Sequence, residues 1–527
     1  MVARDAEDFS TPPVDPDTRG ADQAGRGLAL RRLIKLAIYA FCVVMTGWLV
    51  RNEAFPSFFT NASMGYRSLL SREALLFDNW TKITFEGSPI GYSHTQIAVD
   101  EGENGEFARL QNSTVLQLKL LGASQRLTTT ATVALDEAYR LRQFSFTLST
   151  RQYTARIHGT HRSGTLYDVE IQTGAGKSIL EVDIPEDAVI YSPTTELAMR
   201  KLRPGQRMRI KTFDPITLRT SMVLCEAVKE EMLFIRGQEV QTTVLTLNYQ
   251  GITTRAWMDA EGEMVRQENP LGWTIETSNR EEALNLNLDT DAMDDMILAT
   301  AVPVHGNIIN GRNCKSLSLR LEGLHLDPHQ LVSFRQELGE IDGSTAELVT
   351  RKVPLPERAT PIGNVPESCR EFLVSSPFVQ AEHPEMKEMA DRIVGDTTDS
   401  LEAALKIYEW VDRKVENSVT VSLPSARDVL RQRVGDCNEH TYLFVGLARA
   451  AGLPARIRVG LVFNQGALYF HAWPSVYVGE WVEMDPTLSQ PTVDATHVAL
   501  LEGEVAQQLE LMKVMGHLSV HVLDEVY

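Results

Sequence analysis

A regular alternation of apolar and polar residues runs from about residue 80 to about residue 275 of this chain. The run from Leu116 to Leu120 alternates leucine with a polar residue, and turn signals such as Glu-Gly-Ser-Pro at 86–89 interrupt the pattern at hairpin spacing. Because successive side chains of a strand point to opposite faces, this pattern is typical of strands with one buried and one solvated face. The sequence therefore predicts a large antiparallel β domain over residues 78–280.

The first hairpin of this region carries a short resemblance to a known type of sheet. Residues Phe85 to Tyr92, with Gly87 at the turn and Ile-Gly-Tyr at 90–92, resemble the opening hairpin of half-barrel sheets in bacterial envelope proteins such as lipoprotein carriers. The resemblance implies a half-barrel-like domain whose curled sheet covers a groove suited to an extended ligand. A spacer or docking domain without a ligand fits the same residues, and the sequence leaves both interpretations open.

Composition excludes several classes of protein. With 70 acidic and 51 basic residues the net charge is −19, which argues against nucleic acid as a partner, because phosphate contacts need clustered Lys and Arg. A chain of 527 residues is too long for one hydrophobic core, so several domains are expected. The sequence has no phosphate loop, dinucleotide fingerprint, HExxH motif or zinc-like CxxC spacing, so neither a cofactor nor a metal is expected.

The N-terminal part of the sequence predicts a tail and a membrane anchor. Residues 1–30 are rich in Pro, Gly, Asp and Ala, which is typical of a disordered segment. Arg31, Arg32 and Lys35 flank the start of an apolar run, and Leu33 to Val50 spans 18 residues, close to the roughly 20 that cross a bilayer as a helix. Residues 31–52 are therefore predicted to be a single-pass anchor in the inner (cell) membrane.

The orientation of this anchor follows from its charges. The basic cluster places the tail in the cytoplasm and the bulk of the chain in the periplasm or another extracytoplasmic space. A cleaved signal peptide is the alternative, although no small-x-small cleavage site follows the apolar run.

Beyond the β domain the pattern changes twice. The acidic stretch 281–297 lacks the Gly and the terminal Glu of a calcium loop, so it is interpreted as a linker or short helix. Residues 298–360 return to strand-like alternation and end in a Pro-containing linker, which predicts a small β region.

From about residue 370 to residue 527 helical periodicity appears first, with Asp399 or Ser400 as an N-cap, and strands follow. This last part is predicted to be an α+β domain.

Three chemical groups stand out in the C-terminal part. Cys437 opens an apolar helix, and His471 and Asp485 lie on or at the end of the strands that follow. A helix N-terminus favours an anion through its unpaired N–H groups, while the negative charge of the capping residue Asp436 opposes this effect. An imidazole within reach must therefore complete the activation of the thiol, and a carboxylate can hold the imidazole in one tautomer.

The surrounding motifs resemble the core of the bacterial transglutaminase-like superfamily, which has a papain-like fold and a Cys-His-Asp triad. They are Arg433 to His440, Ala448 to Arg456, His471-Ala472-Trp473 and Asp485-Pro486-Thr487. The resemblance covers roughly residues 370–525 and implies Cys437 as nucleophile, His471 as base and Asp485 as its orienting group. His440 shares the helix of Cys437 and remains an alternative base.

The resemblance implies an α+β protein: a C-terminal papain-like transglutaminase core preceded by the large antiparallel β domain and the N-terminal transmembrane helix. It implies an acyl-transfer enzyme that forms a thioester with a protein or peptide substrate, peptidoglycan peptides included, and passes the acyl group to water or an amine. The alternative is a catalytically degenerate scaffold whose β domain binds an envelope partner. The aromatic residue that animal transglutaminases place upstream of the cysteine is missing from Val415 to Ser418, so the Cys437 N–H is the one oxyanion donor expected.

Cysteine usage leaves room for one disulfide. Setting aside Cys42 in the predicted anchor and Cys437 leaves Cys225, Cys314 and Cys369. Cys314–Cys369 is the first candidate, although the sequence does not fix the pairing.

Overall fold

The structure is a computed structural model that describes residues 41–42, 44–46, 61–62, 65–70, 77–99, 107–200, 202–423 and 425–527. The predicted tail lies outside these residues, as does most of the predicted anchor. Among the described residues no helix is long and apolar enough to cross a membrane. The chain divides into a first unit, residues 1–61, of which 41–42 and 44–46 are helical, and a second unit, residues 62–527.

The alternating region forms one large antiparallel sheet, as the sequence predicts. In chain order, with the two-residue strand β1 first, the strands are β1 Asn61–Ala62, β2 Asp78–Phe85, β3 Ser88–Val99, β4 Ala108–Leu120, β5 Ala123–Leu135, β6 Leu141–Ser149, β7 Thr154–Ser163, β8 Leu166–Thr173, β9 Gly176–Asp183, β10 Val189–Ile190, β11 Arg207–Asp214, β12 Arg219–Ile235, β13 Gln238–Tyr249, β14 Ile252–Met258, β15 Met264–Glu268 and β16 Trp273–Ser278. The order in the sheet is β11-β12-β13-β14-β15-β16-β2-β3-β4-β5-β6-β7-β8-β9. The last strand of the region, β16, therefore lies beside its first long strand, β2, and the short strand β10 pairs in parallel with β11.

Two adjoining cavities of about 390 and 360 Å³ lie against this sheet and share lining residues. The rings of Tyr191 and Tyr249 line both and stack with their centroids 4.1 Å apart. Among the described residues that line the cavities, the charged side chains are Glu196 and Asp214. Burial raises the pKa of Glu196 to about 7, although a hydrogen bond from Gln267 favours its ionised form. The cavities are therefore aromatic and weakly acidic.

A short helix precedes the β domain, and two others lead from it to a second, smaller sheet. The helices are α1 Tyr66–Leu69, α2 Arg280–Leu284 and α3 Met296–Ala299, and Asp295 caps the third. The small sheet has the order β17-β27-β18-β20-β19, with β17 Val304–His305, β18 Ser316–Glu322, β19 Gln336–Asp342, β20 Thr345–Arg351 and β27 Ser519–Val526. The final strand of the chain thus lies between strands of the small β region, although the sequence pattern grouped it with residues 370–527.

The C-terminal domain packs helices against a four-stranded antiparallel sheet. The helices are α4 Pro384–Val394, α5 Ser400–Lys414, α6 Ala426–Gln432, α7 Cys437–Ala450 and α8 Val505–Gln508. The strands are β21 Glu416–Asn417, β22 Val434–Gly435, β23 Ala455–Asn464, β24 Ala467–Tyr477, β25 Trp481–Glu483 and β26 Val498–Glu502, and the sheet order is β25-β24-β23-β26. Helix α7 is buried from Glu439 to Ala448, so it forms the centre of the domain and fixes where its first residue lies.

The suggested Cys314–Cys369 disulfide is wrong, because both cysteines are free and buried. Cys314 precedes β18 of the small sheet, and its thiol donates to the Ser316 carbonyl at 3.3 Å. Cys369 lies in the 3₁₀ segment Glu367–Leu373, in a different part of the fold. Sequence spacing alone does not reveal that the two thiols belong to separate packing environments.

Candidate active site

Cys437 is the first residue of helix α7 and is half-buried, whereas most of the helix behind it is inaccessible. The Asp436 side chain accepts from the Asn438 N–H at 3.0 Å, and Glu439 Oε2 accepts from the Asp436 N–H at 3.0 Å. This capping box fixes the start of the helix at Cys437, so the positive end of the helix dipole lies at the thiol. The local sequence therefore places a thiol at the N-terminus of a rigid, buried helix.

The charge of the cap is smaller than the sequence suggests. Burial and the neighbouring Glu439 carboxylate raise the pKa of Asp436 well above its ordinary value. The second Glu439 oxygen accepts a hydrogen bond from Ser422. Because the two acidic groups do not readily ionise together, the cap opposes a thiolate less than two free carboxylates would.

His471 lies on β24, where its side chain is largely buried. Its Nε2 donates to Asp485 Oδ2 at 2.8 Å, which leaves Nδ1 as the nitrogen available to the thiol. Burial alone would lower the pKa of His471, but interactions with Asp485 and with Cys437 raise it to about 9. The imidazole is therefore protonated at neutral pH, as an imidazolium–thiolate pair requires.

Asp485 is fully buried in the turn after β25. Its Oδ1 accepts from the N–H groups of Thr487 at 2.8 Å and Leu488 at 3.0 Å, while Oδ2 accepts from His471 and from His497. Burial by itself would raise the pKa of Asp485, but the two imidazoles hold it well below its ordinary value. The carboxylate is ionised and has four hydrogen-bond donors around it. The structure thus brings His471 and Asp485 into direct contact, with Cys437 interacting with the histidine.

His497 is a part of this cluster that sequence reasoning missed. Its ring is fully buried, with Nε2 at 3.0 Å from Asp485 Oδ2 and Nδ1 at 3.2 Å from Asp494 Oδ1. The available signal was the pair Asp494 and His497 inside a run that also holds Val493, Ala495 and Val498. An Asp and a His three residues apart in a buried run indicate paired polar groups.

His471, Asp485 and His497 also have ligand atoms within 4.8 Å of one another, a spacing that a metal site can show. Both Nε2 atoms, however, are directed at the same carboxylate oxygen, at 2.8 and 3.0 Å. These are the lengths of charge-assisted hydrogen bonds, in which each nitrogen carries a proton and has no lone pair to give a metal. The donor geometry fits a hydrogen-bonded triad better than a metal centre.

The alternative base, His440, has a different environment. It is fully buried on α7, and its Nδ1 donates to the Asp436 carbonyl at 2.8 Å. This ring hydrogen-bonds a backbone carbonyl, whereas His471 pairs with a carboxylate and also interacts with Cys437. The geometry therefore favours His471.

The segment before the nucleophile forms part of the wall of the site. Strand β21 pairs with β22, Asn417 donates to the Thr487 carbonyl at 3.2 Å, and the Thr420 N–H lies 3.4 Å from Asp436 Oδ2. Val419 and Val421 of the same segment pack against the apolar cluster of the β domain that contains Phe85. One segment thus touches the turn of Asp485, the cap of α7 and the large sheet.

A second contact ties the same segment to the β domain. The Tyr153 hydroxyl donates to the Leu423 carbonyl at 2.7 Å, and Gln125 donates to the Val419 carbonyl at 3.3 Å. The large β domain therefore supports the wall of the candidate site directly.

Comparisons with known proteins agree with this geometry. Residues 387–486 match the Transglutaminase-like superfamily, and this range contains Cys437, His471 and Asp485. An uncharacterized protein of Haemophilus influenzae is 32% identical over 106 residues, which is 18% of this chain and 28% of that protein. The chain therefore matches well under half the length of that relative.

Several solved structures show a partial likeness to this chain. A candidate cysteine protease from Cytophaga hutchinsonii has 18% identity and a TM-score of 0.31, and the match covers 41% of this chain and 89% of that one. A β-barrel-like protein of a family of unknown function from Brucella abortus has 10% identity and a TM-score of 0.28, over 38% and 94% of the two chains. The periplasmic domain of TgpA from Pseudomonas aeruginosa, bound to ethylmercury, has 15% identity and a TM-score of 0.21, over 34% and 91%. The family match identifies residues 387–486 as a transglutaminase-like domain.

Proposed function

We propose that the protein is a cysteine acyl-transfer enzyme that acts on protein or peptide amides through Cys437, His471 and Asp485. The observation that carries this proposal is the 2.8 Å contact of His471 Nε2 with the buried Asp485, in a histidine that also interacts with the thiol at the start of α7. Such an arrangement provides a nucleophile, a proton carrier and a group that orients the carrier.

The reaction follows from these positions. The Cys437 thiolate attacks the amide carbonyl carbon and forms a C–S bond, while the Cys437 N–H stabilises the negative charge that develops on the oxygen. His471 gives its proton to the amide nitrogen, the C–N bond breaks, and an amine leaves. Water or a second amine then loses a proton to His471 and attacks the thioester, which releases the product acid or amide and restores the sulfur. Hydrolysis and transamidation share every step except the identity of this acceptor.

The proposal extends to location and substrate. The apolar run 33–50, with Arg31, Arg32 and Lys35 at its start, supports a single inner-membrane anchor with the tail in the cytoplasm. The site then faces the periplasm, where envelope proteins and peptidoglycan peptides are the accessible amides. A reporter domain that is active only outside the cytoplasm, fused after Tyr527, should be active, and the mature protein should retain residues 1–30. Reporter activity in the cytoplasm would contradict the location.

Iodoacetamide labelling of the full-length protein tests the proposed chemistry. Cys437 should be alkylated below pH 7, well under the ordinary thiol pKa of about 8.5, and His471→Ala should remove this reactivity. The same thiol in the urea-unfolded protein is the reference, and buried Cys369 should react only after unfolding. If Cys437 at pH 6.5 reacts no faster in the folded wild type than in the unfolded protein, the proposal fails.

A second candidate function is that of a scaffold whose β domain binds an envelope partner. The two cavities against the large sheet, lined by the stacked Tyr191 and Tyr249, are the observation that favours it. This function predicts that Cys437→Ala complements a deletion strain fully, whereas Tyr191→Ala combined with Tyr249→Ala does not. The enzyme predicts that Cys437→Ala fails to complement.

A further inference from the structure

We propose that His497 is a positioning residue of the site: as a protonated imidazole between Asp485 and Asp494, it fixes the Asp485 carboxylate and offsets part of its charge, which limits the basicity of His471. This inference rests on the proposed function, since it concerns the same triad.

The protonation state of His497 follows from its two contacts. A neutral imidazole has one N–H and one lone pair, so one nitrogen would direct its lone pair at a carboxylate oxygen. Both of these carboxylates also accept from backbone N–H groups: Asp485 Oδ1 from Thr487 and Leu488, and Asp494 Oδ1 from Thr496 at 2.9 Å. Both are therefore acceptors, and His497 must donate from both nitrogens.

The pKa values agree with this arrangement. Burial alone would lower the pKa of His497, but Asp485 and Asp494 raise it above its ordinary value. Burial would raise the pKa of Asp494, yet the contacts with His497, Thr496 and Gln490 lower it to about 2. These contacts favour an imidazolium between two carboxylates.

The turn that carries His497 is held from another part of the fold. Arg335, just before β19 of the small sheet, donates to the Asp494 carbonyl at 2.8 Å and to the His497 carbonyl at 3.3 Å. Gln336 and Ala499 exchange hydrogen bonds of 2.9 and 2.6 Å. These contacts leave the His497 ring little freedom to turn away from Asp485.

Other groups close to the ring complete its surroundings. The Trp473 ring meets the His497 ring edge-on, with centroids 5.2 Å apart, and the Trp473 indole N–H donates to Glu483 at 2.8 Å. The Glu483 carboxylate is in turn paired with Arg335 and Arg458. Among the described residues, the ionisable side chains that hydrogen-bond the Asp485 carboxylate are therefore His471 and His497.

The charge of His497 has a consequence for His471. The two imidazole centroids are 5.9 Å apart, with Asp485 between them. A like charge at this distance disfavours a proton on His471, whereas Asp485 alone would favour it more strongly. Removing the His497 charge should therefore raise the pKa of His471 above its present value of about 9, by about 1 pH unit after allowing for partial screening.

The pH dependence of Cys437 alkylation in the full-length protein tests this inference without any substrate. As pH rises, the rate of Cys437 alkylation in the wild type should change in two steps. The first step is the formation of the ion pair between Cys437 and His471, and the second is the loss of the His471 proton. In His497→Gln, which keeps an amide donor but removes the charge, the second step should move upward by about 1 pH unit. His521→Gln, a histidine outside the site on β27, is the matched control and should leave both steps unchanged.

A second variant covers the case in which His497→Gln does not fold. His497→Asn removes the same charge with a shorter amide side chain, so it should also shift the second step upward. In whichever variant folds, an unshifted second step overturns the inference. If wild-type Cys437 shows no reactivity below pH 7, the proposed function fails instead; a shifted second step with no amide turnover supports the role of His497 and counts against the enzyme.

Discussion

Arg335 and Glu483 form an ion pair inside the protein, with Arg335 Nη1 2.9 Å from Glu483 Oε2 and side-chain exposures of 2% and 1%. Arg335 belongs to the small β region and Glu483 to β25 of the four-stranded C-terminal sheet. Burial would raise the pKa of Glu483, but Arg335 and Arg458 hold it below its ordinary value. The small sheet therefore supplies a charge that the core of the transglutaminase-like domain requires.

Arg335→Met should destabilise the protein strongly, because it leaves the buried Glu483 carboxylate without its main partner and frees the carbonyls of Asp494 and His497. We expect the free energy of unfolding to fall by about 3 kcal/mol, measured by urea denaturation. Arg351→Met removes an exposed pair with Glu337 at 2.7 Å and should cost less than about 1 kcal/mol. Equal losses in the two variants would contradict a special role for Arg335.

Tyr153→Phe should loosen the wall of the site. The lost hydrogen bond to the Leu423 carbonyl is worth about 1 kcal/mol, so amides of residues 416–423 should exchange about fivefold faster in hydrogen-exchange mass spectrometry. Tyr167→Phe removes a comparable buried bond of 2.8 Å to the Leu141 carbonyl, within the β domain. Tyr167→Phe should lower the free energy of unfolding by a similar amount while leaving amide exchange at 416–423 unchanged. If both variants speed exchange in that segment equally, the Tyr153–Leu423 hydrogen bond does not hold the segment in place.

Local patterns in the sequence indicate the strands of the β domain, the cap at Asp399 and the helix that begins at Cys437, because each depends on neighbouring residues. The sequence order also places His471 and Asp485 on adjacent elements. Contacts between distant residues leave no such pattern. The bond of Arg335 to the Asp494 carbonyl joins residues 159 positions apart, and β27 enters a sheet whose other strands end by Arg351.

The role of His497 was missed for the same reason. A histidine in an apolar run looks like a packed core residue until the turn after β25 brings Asp485 against it. The mistaken Cys314–Cys369 pairing shows the reverse error, since the choice among the remaining cysteines named a contact that the packing of two separate regions does not make.

Glu196→Gln should stabilise the protein at alkaline pH. The folded-state pKa of about 7 lies above the ordinary 4.5, so folding favours the protonated form, and stability is lost as pH rises from about 4.5 through 7. The neutral glutamine has no charge to bury. The free energy of unfolding of the variant should therefore exceed that of the wild type by about 1–3 kcal/mol at pH 8 and equal it at pH 4. Glu261→Gln, in an exposed turn, is the control. A gain that does not depend on pH would contradict the assignment.

His471→Gln should remove a pH-dependent part of the stability. The folded-state pKa of His471, about 9, lies above the ordinary value of 6.5. Its contribution is therefore fully present below about pH 6.5 and is lost as pH rises through about 9. This difference corresponds to about 3 kcal/mol, which urea denaturation at pH 6 and pH 9.5 should detect as a steeper decline in the wild type than in the variant.

Cys437→Ala separates the two partners that raise the pKa of His471. Asp485 remains in this variant at 2.8 Å, so part of the decline with pH should persist, and the midpoint should move below that of the wild type because the sulfur no longer favours the imidazolium. His521→Gln should keep the full wild-type decline. If Cys437→Ala and the wild type lose stability over the same pH range, the sulfur does not interact with His471, and the nucleophile assigned to this site would be wrong.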